Sequence, residues 1–307
     1  MISVVIVNWN SGPRLERCVQ SLRANAAGCQ IVIADNASTD SSLRFADGID
    51  GLRLLRSGRN NGFAAACNTG WRASEGDPVL FLNPDTECLP GSVECLAQTL
   101  AADTAVWAAG GQLVGPSGKP QSGFNVRRFP SIGAVAAEML MIDEIWASNP
   151  WSRPGSRVGG AAEDVDQPAA ACLMVCRDAL ELTEGFDESF RPAWFEDVDL
   201  CRRIRNQGGR IRFQPKARFL HHGGYSLERL SRRDFLEFYH LNQIRYFRKH
   251  HGTRAASRVR RLVVAGLLIR AAISIAYPLA PNASRTEAAR TFWRVSRTIS
   301  REGGNRP

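Results

Sequence analysis

Three apolar runs in this chain end on side chains able to hold a proton, a cation or a polar ligand edge. Val79-Leu80-Phe81-Leu82 runs into Asn83-Pro84-Asp85, Gln30–Ala34 into Asp35, and Arg218-Phe219-Leu220 into His221-His222. Pro84 cannot donate to a sheet ladder and biases Asn83 away from helix, so a strand through Val79–Leu82 stops there and leaves Asp85 at its carboxyl end. In open α/β sheets that edge is where ligands bind. An acid on one strand end and an imidazole on another suit a divalent cation that bridges diphosphate oxygens. A histidine at a strand end is also commonly an ordinary loop residue, so His221 and His222 keep both readings.

A second acidic group, Glu196, Asp197 and Asp199, precedes the helical pattern of Leu200 and Ile204, with Arg202, Arg203 and Arg205 behind it and Gly208-Gly209 closing it. Acids in a first turn and bases in a last turn complement the helix dipole without any further role. Bulky Trp194 and Phe195 immediately before the acids suit a cleft wall better than a solvated cap.

The elements that must position these residues follow from periodicity. Ile2–Val7, Gln30–Ala34, Leu52–Leu55 and Val79–Leu82 read as buried strands, separated by helices to about Arg23 and Ala73, which predicts a parallel sheet wound with helices. A strand near Ala105–Ala109, a Gly/Pro-rich passage from Gly110 to Pro130, a helix over Met139–Ala147 and a surface loop around Trp146 and Trp151 are expected next. Ala169–Val175 reads as a strand, and Ile211–Phe213 and Arg218–Leu220 as two short strands separated by Pro215. No G-x-G-x-x-G follows a strand and no Walker sequence occurs, which argues against a dehydrogenase or a P-loop ATPase.

Charge divides the 307 residues unevenly: positions 236–307 hold 14 Lys/Arg against 3 Asp/Glu, a net +11, so the remainder of this +9 chain is slightly negative. Such a tail suits an anionic partner. Within it Leu262–Ala280 has the length of a membrane span, but Arg270 in its middle and Pro278 near its end disfavour spanning. An interfacial helix with Arg254, Arg258, Arg260 and Arg261 on anionic head groups is one reading, and a core-packing helix of a C-terminal subdomain the other. Nucleic acid is not expected, because these arginines lack interleaved aromatics. The eight cysteines show no C-x-x-C or zinc spacing and read as reduced thiols of a cytoplasmic protein. Met1 leads straight into an apolar strand with no basic n-region, the pattern of a fold's first strand and not of a signal peptide.

Together these residues form a recognisable series. Val4-Val5-Ile6-Val7-Asn8-Trp9-Asn10, Ala34-Asp35-Asn36-Ala37-Ser38-Thr39-Asp40, Asn60-Asn61-Gly62-Phe63-Ala64, Leu82-Asn83-Pro84-Asp85, Gly185-Phe186-Asp187-Glu188, Phe195-Glu196-Asp197-Val198-Asp199-Leu200 and His221-His222-Gly223-Gly224 occur in this order. In them the chain resembles the inverting glycosyltransferases of family 2, and among those the bacterial rhamnosyltransferase-like members that build cell-surface polysaccharides. The resemblance implies the GT-A nucleotide-diphospho-sugar transferase fold, an α/β fold with a Rossmann-like mixed sheet flanked by helices, here with a C-terminal helical extension. It places a glycosyltransferase domain at 1–235, with a nucleotide-sugar-binding half at 1–102 and an acceptor and catalytic half at 103–235, before the basic extension 236–307.

The same resemblance implies roles for single residues. Asp35 would read the pyrimidine of a nucleotide-sugar donor, with Asn8, Asn10, Asn60, Gly62, Phe63 and Asn83 around the donor. Asp85 and His221 would hold a divalent cation, Mg2+ or Mn2+, His221 fitting slightly better than His222. Asp197 would be the catalytic base with Glu196 beside it, and Trp194 and Phe195 would meet the acceptor. Asn83 stands where the motif's first acid would be, so metal is expected to bind well only with donor present. At a helix start Asp197 is expected to have a lowered pKa. Rhamnose from its dTDP donor, a growing or polyprenyl-diphosphate-linked glycan as acceptor, and a peripheral position on the inner face of the plasma membrane complete the implied picture. A sugar nucleotidyltransferase and a catalytically silent glycan- or partner-binding module are the alternatives.

Overall fold

The computed structural model describes residues 1–46, 49, 51–121, 123–142, 160–223, 230–276 and 284–302. Its chain clusters into two compact units, one of residues 1–129 and 154–225, the other of 130–153 and 226–307.

The first unit is built on β1 (Ser3–Asn8), which pairs in parallel with β2 (Gln30–Asp35) on one side and β4 (Val79–Leu82) on the other; β3 (Leu52–Arg56) adds in parallel to β2. Strand alternation sorts the apolar residues into two layers. Val4, Ile6, Leu80 and Leu82 meet Leu15, Cys18, Val19 and Leu22 of helix α1 (Pro13–Asn25). Val5, Val7, Val79 and Phe81 meet Ala64, Ala66, Cys67 and Trp71 of α2 (Phe63–Ala73). Burial on both faces is why these strands read as continuous apolar runs. Gly70 lets α2 lie directly on β1: a Cβ there would come within 2.3 Å of Val5 Cγ1.

Beyond β4 the sheet becomes mixed. The remaining elements are β5 (Thr86–Cys88), α3 (Ser92–Ala101), β6 (Val106–Val114), β7 (Val126–Arg127), α4 (Ile132–Met139), β8 (Glu163–Asp164), β9 (Gln167–Pro168), β10 (Cys172–Val175), α5 (Arg177–Leu182), α6 (Glu196–Asn206) and β11 (Arg210–His221). Strands follow the order β3-β2-β1-β4-β10-β6-β11-β5, with β8 also on β11 and β7 pairing β9 in a small second sheet. β10 is antiparallel to both β4 and β6, whereas β11 runs parallel to β6. Asp35, Asp85 and His221 all fall at or just past strand carboxyl ends, as their sequence setting predicts.

Local expectations needed two corrections. β6 extends to Val114 through Gly110-Gly111, which in sequence looks like the start of a loop. Those glycines are demanded by close approach, since Cβ atoms there would lie 2.1 Å from Pro168 and 2.6 Å from Phe219. The two short strands expected around Pro215 are one strand, and its register with β6 shifts between Gln214 and Arg218, where the proline is accommodated. A helix the sequence did not signal spans Ile132–Met139, capped by Ser131 Oγ accepting from Ala134 N at 3.1 Å; the helix expected over Met139–Ala147 falls mostly outside the described residues, as do Trp146 and Trp151.

The second unit joins α4 to α7 (Arg232–Ala276), broken at Gly252 with φ 81°, and to α8 (Arg285–Glu302). Val135 and Met139, Val259, Val263 and Leu267, and Phe292, Val295 and Ile299 are buried on the three helices. Among the described residues no helix is long and apolar enough to cross a membrane. One face of α7 is buried, with Ala256, Val259, Val263, Leu267 and Ala271 along it.

Candidate active site

At the carboxyl ends of β1 and β2, Asn8 is fully buried and its Nδ2 donates to Asp35 Oδ1 at 2.8 Å and to Ser42 Oγ at 2.9 Å. Ser38 N donates to the other Asp35 oxygen at 3.1 Å. Asn10 Oδ1 accepts from the backbone N–H groups of Thr39 and Asp40 at 2.7 and 3.1 Å, tying the loop after β1 to the loop after β2. These bonds orient the Asp35 carboxylate, which retains acceptor capacity for a ligand N–H. It opens on a cleft of about 260 Å3 lined also by Asn36, Leu55, Arg56, Ser57 and Asn61.

The neighbouring Asn60-Asn61-Gly62-Phe63 segment is shaped by its own side chains. Asn60 Oδ1 accepts from Gly62 N at 2.9 Å, and Asn36 bridges the segment, donating to Gly62 O at 3.0 Å and accepting from Asn61 N at 3.1 Å. Gly62 has φ 90° and begins α2, and Phe63 N bonds Pro192 O at 2.8 Å. Asn60 and Asn10 thus hold backbone, and Asn61 is the segment's contribution to the cleft wall.

Asp85, 7% exposed, follows half-buried Asn83, whose N–H bonds Ala171 O at 3.1 Å. Its Oδ1 stands 3.5 Å from His221 Nε2. His221 Nδ1 lies 2.7 Å from Gln121 Oε1, and Gln121 Nε2 donates to His221 O at 2.7 Å. The second bond sets the amide's orientation, so the first requires a proton on Nδ1 and leaves Nε2 with its lone pair toward Asp85. Burial lowers the His221 pKa despite the opposing influence of Asp85, favouring the neutral ring. Phe124 stacks on that ring at 5.4 Å with an interplanar angle of 10°. His222 points elsewhere, with Nε2 2.8 Å from Glu87 Oε1.

Two acceptors facing each other at 3.5 Å, one with its other nitrogen held by a carbonyl oxygen, fit a cation. Asp85 and His221 would hold it, and the cation would supply charge neutralisation for a departing diphosphate. Among the described residues no cluster of three or more His, Cys, Asp or Glu side chains is arranged around a metal position.

At the other acidic group, Glu196 is 5% exposed and its Oε2 has no hydrogen-bond partner. Burial, then the neighbouring Asp197, push its pKa well up. Asp197 is partly exposed, accepts from Gln167 Nε2 at 2.9 Å and from Val198 N at 2.8 Å, and also has a raised pKa. This corrects the expectation of a lowered value: desolvation outweighs Arg127 and the hydrogen bonds, all of which act downward. Asp199, fully buried, pairs with Arg203 Nε at 2.7 Å and braces α6. Trp194 and Phe195 both adopt left-handed backbone, with φ 73° and 72°, an unfavourable conformation for bulky residues that sets the entry to α6. Phe195 is only 3% exposed, which leaves Trp194 as the aromatic with surface to present.

Sequence reasoning missed Gln121, Phe124, Arg127 and Gln167. Arg127 lies 5.1 Å over the Phe124 ring that stacks on His221 and acts electrostatically on Asp197, so one short segment serves both acidic groups. None of these residues ends an apolar run, and Gln121 lies 100 residues from the histidine it orients.

Residues 3–141 match the family described as Glycosyl transferase family 2. The chain is 31% identical over 246 residues to the N-acetylglucosaminyl-diphospho-decaprenol L-rhamnosyltransferase of Mycobacterium tuberculosis, covering 75% of this chain and 78% of that one. It is 22% identical over 229 residues to rhamnosyltransferase WbbL of Escherichia coli, covering 72% and 83%. In fold it is similar to a mannosyltransferase of Pyrobaculum calidifontis solved with GDP-Man and Mn2+, with a TM-score of 0.57, 16% identity, and coverage of 97% of this chain and 84% of that one. The sheet is thus of the GT-A type, and this chain belongs to glycosyltransferase family 2, among its bacterial rhamnosyltransferase-like members.

Proposed function

We propose that this glycosyltransferase moves rhamnose, with inversion, from a dTDP-linked donor to a polyprenyl-diphosphate-linked saccharide at a membrane surface. The observation that carries the reading is the Asp85–His221 pair, two acceptors set 3.5 Å apart at the sheet edge that also presents Asp35. The mycobacterial relative, covered over 78% of its length, supports rhamnose as the sugar and a lipid-linked N-acetylglucosamine as the acceptor.

In this reading the nucleobase enters the cleft beside Asp35, and Asp85 and His221 would hold a divalent cation, Mg2+ or Mn2+, that would supply charge neutralisation for the diphosphate. Asp197 accepts the acceptor hydroxyl's proton as that oxygen attacks the anomeric carbon in line with the departing diphosphate. Its raised pKa makes it a stronger base than an ordinary carboxylate, and its partial exposure lets the acceptor reach it. Gln167 fixes one Asp197 oxygen and leaves the other for the incoming hydroxyl and the Val198 N–H. Trp194 offers the acceptor sugar an apolar face.

The test supplies dTDP-rhamnose, a short polyprenyl-diphosphate N-acetylglucosamine and Mg2+ or Mn2+, and follows release of nucleoside diphosphate and the anomeric configuration of the product. Inverted linkage with dTDP release is expected. Pyrophosphate release would instead mark a nucleotidyltransferase, and retained configuration would remove Asp197 from its role.

A further inference from the structure

Beyond Gly252, helix α7 buries one face and exposes the other in a regular stripe. Positions 254, 258, 261, 265, 268, 272 and 275 are exposed, alternating steps of four and three, which keeps them on one side over about 30 Å. The stripe is segregated along its length. Arg254, Arg258 and Arg261 occupy its first turns, and Leu268, Ala272 and Ile275 its last, with Leu268 44% and Ile275 67% exposed.

Arg270, the charge that interrupts this apolar stretch in sequence, does not join the stripe. Its Nη1 donates to Met139 O and its Nη2 to Glu138 O, both at 2.6 Å, capping the end of α4. Gly266 permits that contact, since a Cβ there would lie 2.7 Å from Met139. The outward end of α7 is therefore free of charge over its last turns although the helix is not. No acidic residue occurs between Glu237 and Glu287, so the arginine end is not neutralised from within the helix. In the same unit α8 exposes Trp293, 47% accessible, with Arg297 4.8 Å over its ring and Arg290, Arg294 and Arg301 also exposed. Exposed tryptophan among cations is characteristic of a membrane–water boundary.

We infer that the outward face of α7 after Gly252 docks on an anionic lipid bilayer, its aliphatic end entering the acyl boundary and its three arginines meeting phosphate head groups. Lengthwise segregation separates this occupant from others. RNA would be served by charge and stacking groups mixed along the whole stripe, and a second copy would bring like-charged arginines together if parallel or set arginines against the aliphatic end if antiparallel. The inference deepens the proposed function, because it rests on an acceptor carried in lipid, and it assigns the surface that brings the enzyme there.

The experiment sediments the full chain with phosphatidylcholine vesicles with and without phosphatidylglycerol, and separately measures transfer to a water-soluble acceptor analogue. Binding is expected only with the anionic lipid and is expected to fall with salt. Replacing Arg254, Arg258 and Arg261 together by Gln should lower it on the order of 100-fold, at about fivefold per arginine. Leu268→Ser with Ile275→Ser should lower it roughly tenfold or more. All these variants should keep turnover of the soluble analogue. Equal binding to neutral vesicles, unchanged binding by the variants, displacement of vesicles by an RNA homopolymer, or a dimer lost with Leu268 and Ile275 in place of vesicle binding would each overturn the docking surface. Failure of the wild-type chain to turn over the soluble analogue while still binding vesicles would count against the transferase reading alone.

Discussion

Asp35 and Glu196 are equally hidden, each 5% exposed, yet their carboxylates meet opposite surroundings. Both oxygens of Asp35 accept hydrogen bonds, from Asn8 and from the Ser38 N–H, at the end of a parallel strand. Glu196 begins a helix beside Asp197, and its Oε2 accepts none. The contrast separates two uses of a buried acid. In the proposed function, the acid on which donors converge serves recognition; where acids crowd together out of water, burial and repulsion favour holding a proton, and the proposed base Asp197 stands in that crowd.

The largest test of that contrast compares Asp197→Asn with Asp35→Ala. Removing the proposed base should lower kcat by about 100- to 10,000-fold with the donor KM nearly unchanged. Removing the recognition acid should raise the donor KM and leave kcat within a few-fold. If both changes fell on KM, Asp197 would belong with the recognition acids, and steady-state kinetics with varied donor decides it.

The two regions also differed in how far the sequence exposed them. β1, β2 and β4 announce themselves because burial on both faces makes each a continuous apolar run, and a polar residue ending such a run marks the ligand edge. Asp35, Asp85 and His221 were therefore legible. The surroundings of Asp197 were not, because its pKa is set by how deeply the start of α6 is buried and by Gln167 and Arg127 on the β7–β9 ribbon. A helix-dipole argument sees only the local turn, and it gave the wrong sign. The Gly110-Gly111 strand was hidden for a related reason: the same residue that breaks a strand in isolation is the one a crowded sheet requires.

A second test extends the comparison to the cation pair. Gln121→Ala removes the acceptor that keeps the His221 proton on Nδ1. Cation affinity, titrated in the presence of nucleoside diphosphate, should fall roughly 10- to 100-fold. Gln121→Glu retains an acceptor and should recover most of it, an outcome that simple loss of packing would not produce. Arg127→Gln acts on the other acidic group and by a smaller amount. Arg127 lowers the Asp197 pKa, so without it that value rises further. The base must be ionised to work, and the acid limb of the kcat/KM profile should therefore move to higher pH, with little change on the plateau. A limb that moved down, or stayed in place, would show that Arg127 does not set the charge at Asp197.

The smallest effect tests the proton on Glu196 itself. Because its folded-state pKa is raised, the unfolded chain loses this proton at lower pH than the native one does, and stability falls as pH rises from the ordinary glutamate range toward the folded value. Glu196→Gln has the shape of the protonated acid and cannot ionise, so that loss should disappear. At neutral to alkaline pH the variant should melt about 2–4 °C higher than the parent, and below the ordinary glutamate pKa the two should converge. Its kcat should stay within a few-fold, since Asp197 keeps Gln167 and the Val198 N–H. A variant that is less stable at high pH would mean that Glu196 is ionised in the folded protein and that its buried oxygen meets a donor after all. The contrast with Asp35 would then reduce to one of position in the fold.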